Sequence, residues 1–146
     1  MYFKGRSVYV YRVSNNGKTG WRPAVQEIQV FSDRVCSTKT LATYVDVSGS
    51  RSGSHDGIAA FDDNIATEWR PQCSPCTKNE AWVIFTTNLE AKCINAGNLG
   101  RGPGGHGSWN IGIYVELKNL YGSWGMVMES QSENIAKLGI RSDFYL

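Results

Sequence analysis

The sequence predicts an all-β fold, a sandwich or jelly roll of about eight short antiparallel strands. The first observation is composition: among 146 residues, 16 are glycine, 5 are tryptophan and 7 are tyrosine, which favours many turns between half-buried strands. The second is that apolar and polar residues alternate over several short segments, and the third is that no long amphipathic helical pattern occurs. A chain of this length is expected to form one domain, residues 1–146, with a core of its own.

Charge and hydropathy exclude several classes of protein. The 15 basic and 13 acidic side chains give a formal net charge of +2, and the basic ones form no cluster, so we expect no nucleic-acid partner. No apolar run approaches the ~20 residues of a membrane-spanning helix, so we expect no membrane span. The sequence begins without a basic and apolar leader, so export would require that a leader has been removed or that the chain is a piece of something longer.

The first two predicted strands lie near the start of the chain. Residues 7–13, SVYVYRV, are apolar on both faces, which favours a central position in a sheet. Residues 15–20, NNGKTG, are predicted to form a turn, and residues 24–31, AVQEIQVF, the returning strand. We therefore expect the two segments to pair as a hairpin.

Three further strands are predicted in the middle of the chain. Residues 41–47, LATYVDV, alternate between two faces, and the polar residues 48–57 that follow are predicted to form a flexible loop. Residues 81–87, AWVIFTT, form the next predicted strand, and residues 92–100 contain another.

The last predicted strands follow a glycine-rich loop at residues 100–109. Residues 110–120 alternate in the pattern of a strand with one buried face. The side chains predicted to face inward there are Ile111, Ile113, Val115 and Leu117. A short turn at Tyr121 and Gly122 leads to a strand within residues 123–130, and a weak strand is predicted at residues 138–141.

Four cysteines allow two disulfides, with three possible pairings. Cys73 and Cys76 form a C-x-x-C pair, whereas Cys36 and Cys93 stand alone. Free thiols and a zinc site are the alternatives, although structural zinc sites usually show two close pairs. Disulfides would indicate an oxidising compartment, and hence a secreted, extracellular or lumenal protein.

The segment AFDDNIATEW, residues 60–69, places adjacent acids and turn-forming residues between two large apolar anchors. One interpretation is a tight surface loop held by hydrogen bonds from its side chains to its backbone. The other is a loop folded around a cation, because carboxylate and carbonyl oxygens are the ligands that calcium prefers.

The same segment resembles the motif of the discoidin family, which includes coagulation-factor C-type domains and many carbohydrate-binding modules. That motif is an alanine, an apolar residue, Asp-Gly-Asn, two variable residues, Thr, one variable residue and Trp. The residues that match are Ala60, Phe61, Asp62, Asn64, Thr67 and Trp69. Asp63 replaces the glycine of the family, and aspartate tolerates a left-handed backbone better than most residues. A strand with Trp82, the segment NIGIYVEL, and Trp124 closing a strand extend the resemblance.

The order of the segments differs from that of the family. Residues 7–13, Trp21 and residues 25–31 look like the last strands of a discoidin domain, yet they open this chain. The resemblance therefore implies a circularly permuted domain, or one cut out of phase from a tandem array. It implies the jelly-roll form of the β-sandwich in either case.

The resemblance to the carbohydrate-binding branch implies a structural calcium ion at this loop. Asp62 would be the main carboxylate, and Thr67 would supply a hydroxyl or carbonyl oxygen. Glu27 matches a glutamate on the last strand of the family and would reach the ion from across the sheet. Asn64 would ligate the ion or hold the turn. The alternative is an Asx-type turn without metal.

The family binds its ligands with loops at one end of the sandwich. The glycine-rich loop offers Arg101, His106 and Trp109, an aromatic face to stack on a sugar and donors for its hydroxyls. Trp21 and Arg22 in the predicted hairpin turn are further candidates. The alternatives are a core tryptophan at 109, a solvated histidine at 106 and a packed corner at 21 and 22.

No enzyme site is predicted. His55 and His106 are the only imidazoles, both lie in glycine-rich loops, no G-x-S-x-G motif occurs, and no pair of carboxylates stands out. We expect a non-catalytic carbohydrate-binding or adhesion module that recognises a glycan or glycoprotein surface.

Two other functions remain open. A structural or interaction subunit of a larger assembly would fit the out-of-phase start and the lack of an N-x-Ser/Thr site. A phospholipid-surface module, as in coagulation-factor C domains, would need exposed apolar side chains flanked by basic ones.

Overall fold

The computed structural model describes residues 8–19, 24–51, 56–64, 66–97, 113–129 and 135–139. These residues form nine strands and one short 3₁₀ helix, Gly57–Ala60. The strands are β1 (Tyr9–Asn15), β2 (Glu27–Phe31), β3 (Lys39–Thr40), β4 (Ala42–Val47), β5 (Trp82–Thr87), β6 (Cys93–Gly97), β7 (Ile113–Lys118), β8 (Trp124–Glu129) and β9 (Ile135–Gly139). The prediction of an all-β chain is confirmed, and the strand beyond the predicted eight is the two-residue β3.

The strands form two antiparallel sheets. One has five strands in the order β4-β5-β1-β7-β8, and the other has four in the order β3-β2-β6-β9. The predicted central position of the first strand is confirmed, because β1 lies between β5 and β7. Its apolar sequence suits a strand with neighbours on both sides.

The predicted hairpin between the first two strands is wrong. β1 belongs to the five-stranded sheet and β2 to the other, where it pairs with β3 and β6. The second strand begins only at Glu27, so residues 16–26 connect the two strands. A connection of that length allows the chain to cross from one sheet to the other, whereas a hairpin loop usually has about two to five residues.

Several strand boundaries differ from the prediction. The alternation in β4 is interrupted by a bulge between Tyr44 and Asp46, so Val47 faces the core together with Tyr44. β9 spans Ile135–Gly139 and so begins before the predicted strand at residues 138–141, of which residues 140 and 141 lie outside the described residues. Trp124 begins β8 and does not close a strand.

In β7 the predicted inward side chains of Ile113, Val115 and Leu117 are buried, as expected. Ile111 lies outside the described residues.

A single apolar core lies between the sheets. Tyr11 and Phe85 stack at its centre with ring centroids 5.6 Å apart, and Trp69 is fully buried beside them in the same cluster. The Tyr11 hydroxyl accepts a hydrogen bond from the main-chain N–H of Ala91 at 2.9 Å. The buried Tyr11 hydroxyl therefore keeps a hydrogen-bond partner.

All four cysteines form disulfides, Cys36 with Cys93 and Cys73 with Cys76. The free-thiol and zinc alternatives are therefore wrong. The first disulfide ties the connection between β2 and β3 to the start of β6. Two disulfides are typical of a protein from an oxidising compartment.

None of the helices among the described residues is long and apolar enough to cross a membrane.

The strand register defines two ends of the sandwich. At one end, named here the loop end, β1 finishes at Asn15 opposite the first residue of β7, Ile113. In the other sheet, β2 begins at Glu27 opposite the last residue of β6, Gly97. At the opposite end, β5 finishes at Thr87 and a short connection leads into β6.

Candidate functional site: an acidic loop beside a buried glutamate

Two aromatic side chains anchor the acidic loop, residues 61–67, to the core. The ring of Phe61 packs against Phe85 with centroids 5.4 Å apart. Trp69 is fully buried, and its indole N–H lies 3.1 Å from the carbonyl oxygen of Gly49. The polar residues between these anchors are therefore held at the surface by two fixed points.

The Asp62 carboxylate organises the turn. Its Oδ1 accepts a hydrogen bond from the main-chain N–H of Asn64 at 3.0 Å, and its Oδ2 lies 2.5 Å from the hydroxyl of Thr67. Asp63 adopts a left-handed backbone with φ of 58°. The left-handed backbone that aspartate was expected to tolerate is therefore present at Asp63.

Three hydrogen-bond acceptor oxygens lie close to the Thr67 hydroxyl. Besides Asp62 Oδ2, the carbonyl oxygens of Asn64 and Ala59 lie 2.9 and 3.4 Å from Thr67 Oγ1. A hydroxyl has one proton, so it can donate to only one of these three acceptors at a time. The loop therefore gathers more acceptor oxygens than its own hydroxyl can satisfy.

Glu27, the first residue of β2, lies behind this loop and is only 4% exposed. Its Oε2 accepts a hydrogen bond from the main-chain N–H of Asp63 at 3.1 Å. Its Oε1 is buried without a hydrogen-bond partner. A buried acceptor in that state costs about 1–3 kcal/mol, more if it is charged.

The pKa of Glu27 is raised to about 7, chiefly by burial. The charges of Asp62 and Asp63 also raise this pKa, whereas the hydrogen bond from the Asp63 N–H and the charge of Lys39 lower it. Lys39 forms its own ion pair with Asp63, with Nζ 2.8 Å from Oδ1. Negative charge on Glu27 is thus poorly compensated by the protein itself.

Glu90 provides a contrast within the same chain. Its Oε2 is also buried without a hydrogen-bond partner, but its Oε1 lies 2.6 Å from the ammonium of Lys92. A cation from the protein balances that carboxylate. Among the residues that the structure describes, no ion pair does the same for Glu27, because its neighbour Lys39 pairs with Asp63.

The structure brings together three of the four predicted calcium ligands, Asp62, Asn64 and Thr67. The fourth, Glu27, reaches the same loop through the main chain of Asp63. Within the described part of the chain, no three His, Cys, Asp or Glu side chains come close enough to share a metal. A cation here would combine two carboxylates with neutral oxygens, a donor set that suits calcium.

The hydrogen bonds expected for an Asx-type turn are also present. Asp62 Oδ1 accepts from Asn64, and Asn64 Oδ1 accepts from the main-chain N–H of Ala66 at 2.9 Å. These bonds hold the loop with or without a cation.

The five predicted ligand-binding residues lie outside the described residues. They are Trp21, Arg22, Arg101, His106 and Trp109. The strands next to them in sequence are described: β1 and β6 finish, and β2 and β7 begin, at the loop end.

Sequence reasoning missed a groove beside Glu27. Its volume is about 170 Å³, and it runs along β2 between the acidic loop and the start of β4. The residues that line it include Gln29, Lys39, Phe61 and Asp63. Three of the lining residues carried a signal in the sequence: Phe61 as a match to the motif, Asp63 as the exception to its glycine, and Glu27 as a proposed ligand.

Comparison with protein-family models found no match, and neither did comparison with curated proteins or with solved structures.

Proposed function

We propose that this chain is a non-catalytic carbohydrate-binding or adhesion module whose acidic loop is stabilised by calcium. The observation that carries the proposal is the Glu27 carboxylate, buried beside two aspartates with one oxygen unpartnered. The jelly-roll form and the kinship with discoidin domains belong to the same proposal. The matching spacing of residues 60–69 and the left-handed Asp63 support them.

Electrostatics favours a cation at this position. A carboxylate removed from water loses hydration, and two neighbouring aspartates add repulsion. A calcium ion near Asp62 and Glu27 would offset both effects and would use the acceptors that crowd around Thr67. Asn64 would contribute an oxygen or hold the turn.

The role of the ion would be structural. It would fix the acidic loop against β2 near the loop end, and a rigid scaffold there would position the binding groups on neighbouring connections. Those connections carry Trp21, Arg22, Arg101, His106 and Trp109 in the sequence, which we propose as the glycan contacts. The two disulfides support a secreted or lumenal protein.

Thermal unfolding in calcium and in chelator tests the metal. Calcium at a hundredfold excess over Kd is expected to raise stability by about 2.7 kcal/mol, or Tm by about 5–10 °C. Magnesium should raise Tm less, because it requires near-ideal octahedral geometry. Glu27→Gln should lose most of the calcium effect, whereas Glu90→Gln, the matched control, should keep it. Equal Tm values for the wild type in calcium and chelator would refute the calcium site.

A glycan array in calcium and in chelator tests the binding. Sugar-specific binding that falls in chelator would support the whole proposal. A folded protein that binds no glycan under either condition would refute the carbohydrate assignment.

A second candidate is an interaction domain within a larger assembly. Large apolar side chains that are exposed among the described residues favour it, with Tyr121 94% and Val35 81% exposed, because a partner could bury them. Phospholipid-surface binding is the third candidate, since an exposed apolar side chain such as Tyr121 could enter a lipid surface.

A further inference from the structure

The outward face of the five-stranded sheet carries aromatic side chains. In β5, Val83 and Phe85 are buried in the core, so Trp82, which alternates with them, points outward. In β7, the buried Val115 places its neighbour Tyr114 on the same outward face. Both aromatic residues are half-buried, neither enclosed in the core nor fully exposed.

A third aromatic residue, Trp124, lies on this face. It is opposite Lys118 in the pairing of β7 with β8, and opposed residues of a sheet share a face. The guanidinium carbon of Arg12 lies 4.4 Å from the centroid of the Trp124 ring. Arg12 stands between the buried Tyr11 and Val13 of β1, so it also points outward. This contact is a cation–π interaction that holds the indole against the sheet.

The strand register sets the distance between the first two aromatic residues. Ser14 of β1 lies opposite Trp82 on one side and opposite Tyr114 on the other. Trp82 and Tyr114 are therefore two strand spacings apart, about 10 Å, which is close to the length of a disaccharide. Because serine is small, the space between the two rings is not filled by a large side chain of β1.

Polar groups lie between and beside the aromatic rings. The Ser14 hydroxyl donates a hydrogen bond to Oδ1 of Asn79 at 3.2 Å, and Asn79 is exposed. Arg12 Nε donates to Glu116 Oε1 at 2.8 Å, which uses one of the five N–H groups of the guanidinium. Among the described residues, no acceptor binds Nδ2 of Asn79 or the other N–H groups of Arg12. These groups are therefore available as donors to a ligand.

The Tyr114 hydroxyl is a further donor. Its pKa is raised by burial and by the charges of Glu116 and Glu129, whereas the charge of Arg12 lowers it. The hydroxyl therefore keeps its proton at neutral pH.

The charges on this face nearly cancel. Among the described strands, the outward ionisable side chains are two basic and three acidic ones, a net charge of −1, namely Arg12, Lys118, Asp46, Glu116 and Glu129. A surface of this charge does not attract nucleic acid or another polyanion. The Arg12–Glu116 ion pair at its centre also differs from the core of a protein interface, where glutamate is depleted.

A neutral sugar complements such a face. The C–H groups of a sugar ring pack on an aromatic ring, and its hydroxyls take hydrogen bonds from polar groups at the edge. Two aromatic rings spaced by the length of a disaccharide on a sheet surface suit a chain of sugars better than a single terminal sugar.

We propose that the outward face of the five-stranded sheet binds a neutral polysaccharide chain, with Trp82 and Tyr114 stacking on two of its sugar rings. Arg12 and Asn79 would donate hydrogen bonds to hydroxyls, and Trp124 would extend the surface towards β8. The proposal rests on the carbohydrate-binding function proposed above, and it adds a site separate from the connections at the loop end.

This site is also separate from the acidic loop. Glu27 belongs to the four-stranded sheet, and Phe61 of the acidic loop packs against Phe85, on the core side of β5. The outward face lies on the other side of β5. Binding there should therefore not depend on calcium.

Binding to insoluble cellulose, chitin and β-1,3-glucan in the presence of chelator tests the proposal. The wild type is expected to bind at least one of them, and to bind longer soluble oligosaccharides of that polymer more tightly than the disaccharide. Trp82→Ala with Tyr114→Ala should weaken binding at least about tenfold. Tyr114→Phe, which keeps the ring, should bind like the wild type. Phe31→Ala is the matched control, since Phe31 is a half-buried aromatic residue that points outward from the other sheet.

Other outcomes would overturn this site. They are a wild type that binds none of the polysaccharides, or a double variant that binds as well as Phe31→Ala. Circular dichroism and Tm would show that the variants fold, and Tyr114→Ala compared with Tyr114→Phe serves if the double variant does not. Binding on the glycan array that requires calcium and survives in the double variant would support the proposed function while refuting this site. Silence of both the array and the polysaccharides would refute both.

Discussion

Glu27 and Asp63 are joined by one hydrogen bond, in which the main-chain N–H of Asp63 donates to Glu27 Oε2 at 3.1 Å. Glu27 begins β2, and Asp63 occupies the left-handed position of the acidic loop. The bond therefore couples the ionisation of a buried carboxyl to the position of a surface loop. The first two predictions test this coupling.

Asp62→Ala is expected to lower stability in calcium and to abolish the rise of Tm that calcium causes. The substitution removes the acceptor for Asn64 and Thr67, which costs about 1–2 kcal/mol without metal, and it removes the main proposed ligand. Thermal unfolding in calcium and in chelator measures both effects. Asp46→Ala, which removes an exposed aspartate outside the loop, is the control. A calcium response that survives in Asp62→Ala would contradict the assignment of Asp62.

Because the pKa of Glu27 is raised, we expect the free energy of unfolding to fall as the pH rises when no calcium is bound. Its folded pKa of about 7 exceeds the ordinary value of 4.5, so the folded state holds a proton that the unfolded state releases. The contribution is complete below pH ~4.5 and is lost by pH ~7, up to about 3 kcal/mol. Urea unfolding in chelator across this pH range measures the contribution of Glu27 as the free energy of unfolding of the wild type minus that of Glu27→Gln.

Calcium should remove this pH dependence near neutrality, because a bound cation favours the charged carboxylate. The same slope in the wild type and in Glu27→Gln would show that Glu27 does not titrate in this range.

Asn15→Ala is expected to destabilise the fold by about 3 kcal/mol or more. The Asn15 side chain is fully buried and bonds three main-chain groups, the carbonyls of Gly17 and Thr77 and the N–H of Ala81. Its loss leaves these groups without that partner. Asn119→Ala also removes two hydrogen bonds, but in an exposed turn where water replaces them, and should cost clearly less. Equal losses in the free energy of unfolding for Asn15→Ala and Asn119→Ala, measured by urea unfolding, would contradict the role of burial.

The two disulfides are expected to contribute unequally. Cys36 and Cys93 are separated by 57 positions, and Cys73 and Cys76 by 3. Loop-closure entropy then gives about 4 kcal/mol for the first and about 2 kcal/mol for the second. Paired alanine substitutions, Cys36→Ala with Cys93→Ala and Cys73→Ala with Cys76→Ala, measure the difference by urea unfolding. A larger loss from the short loop would contradict the entropic account.

Local patterns in the sequence predicted most of the strands. The apolar segment around Tyr11 predicted a central strand, and the alternation around Val115 predicted which side chains face the core. The acidic loop was likewise predicted as a turn between Phe61 and Trp69, and the left-handed Asp63 follows from the properties of aspartate. In each case the signal is local, since backbone preference and side-chain period act over a few residues.

Pairing between distant segments was not predictable in the same way. The expected hairpin of β1 and β2 failed because alternation shows that a segment is a strand but not which strand it pairs with. The bulge at Tyr44 also required the partner strand, since a bulge is defined by two residues opposite one.

Composition and spacing by themselves determined that the chain is β-rich, that two disulfides were possible and that residues 60–69 form an acidic loop. Only the tertiary structure decided that Glu27 is buried behind this loop with an unpartnered oxygen, and that the side chains of Tyr121 and Leu41 are exposed. The physical reason is that burial and proximity arise from packing between residues far apart in the chain. A residue's own neighbours in sequence carry no record of that packing.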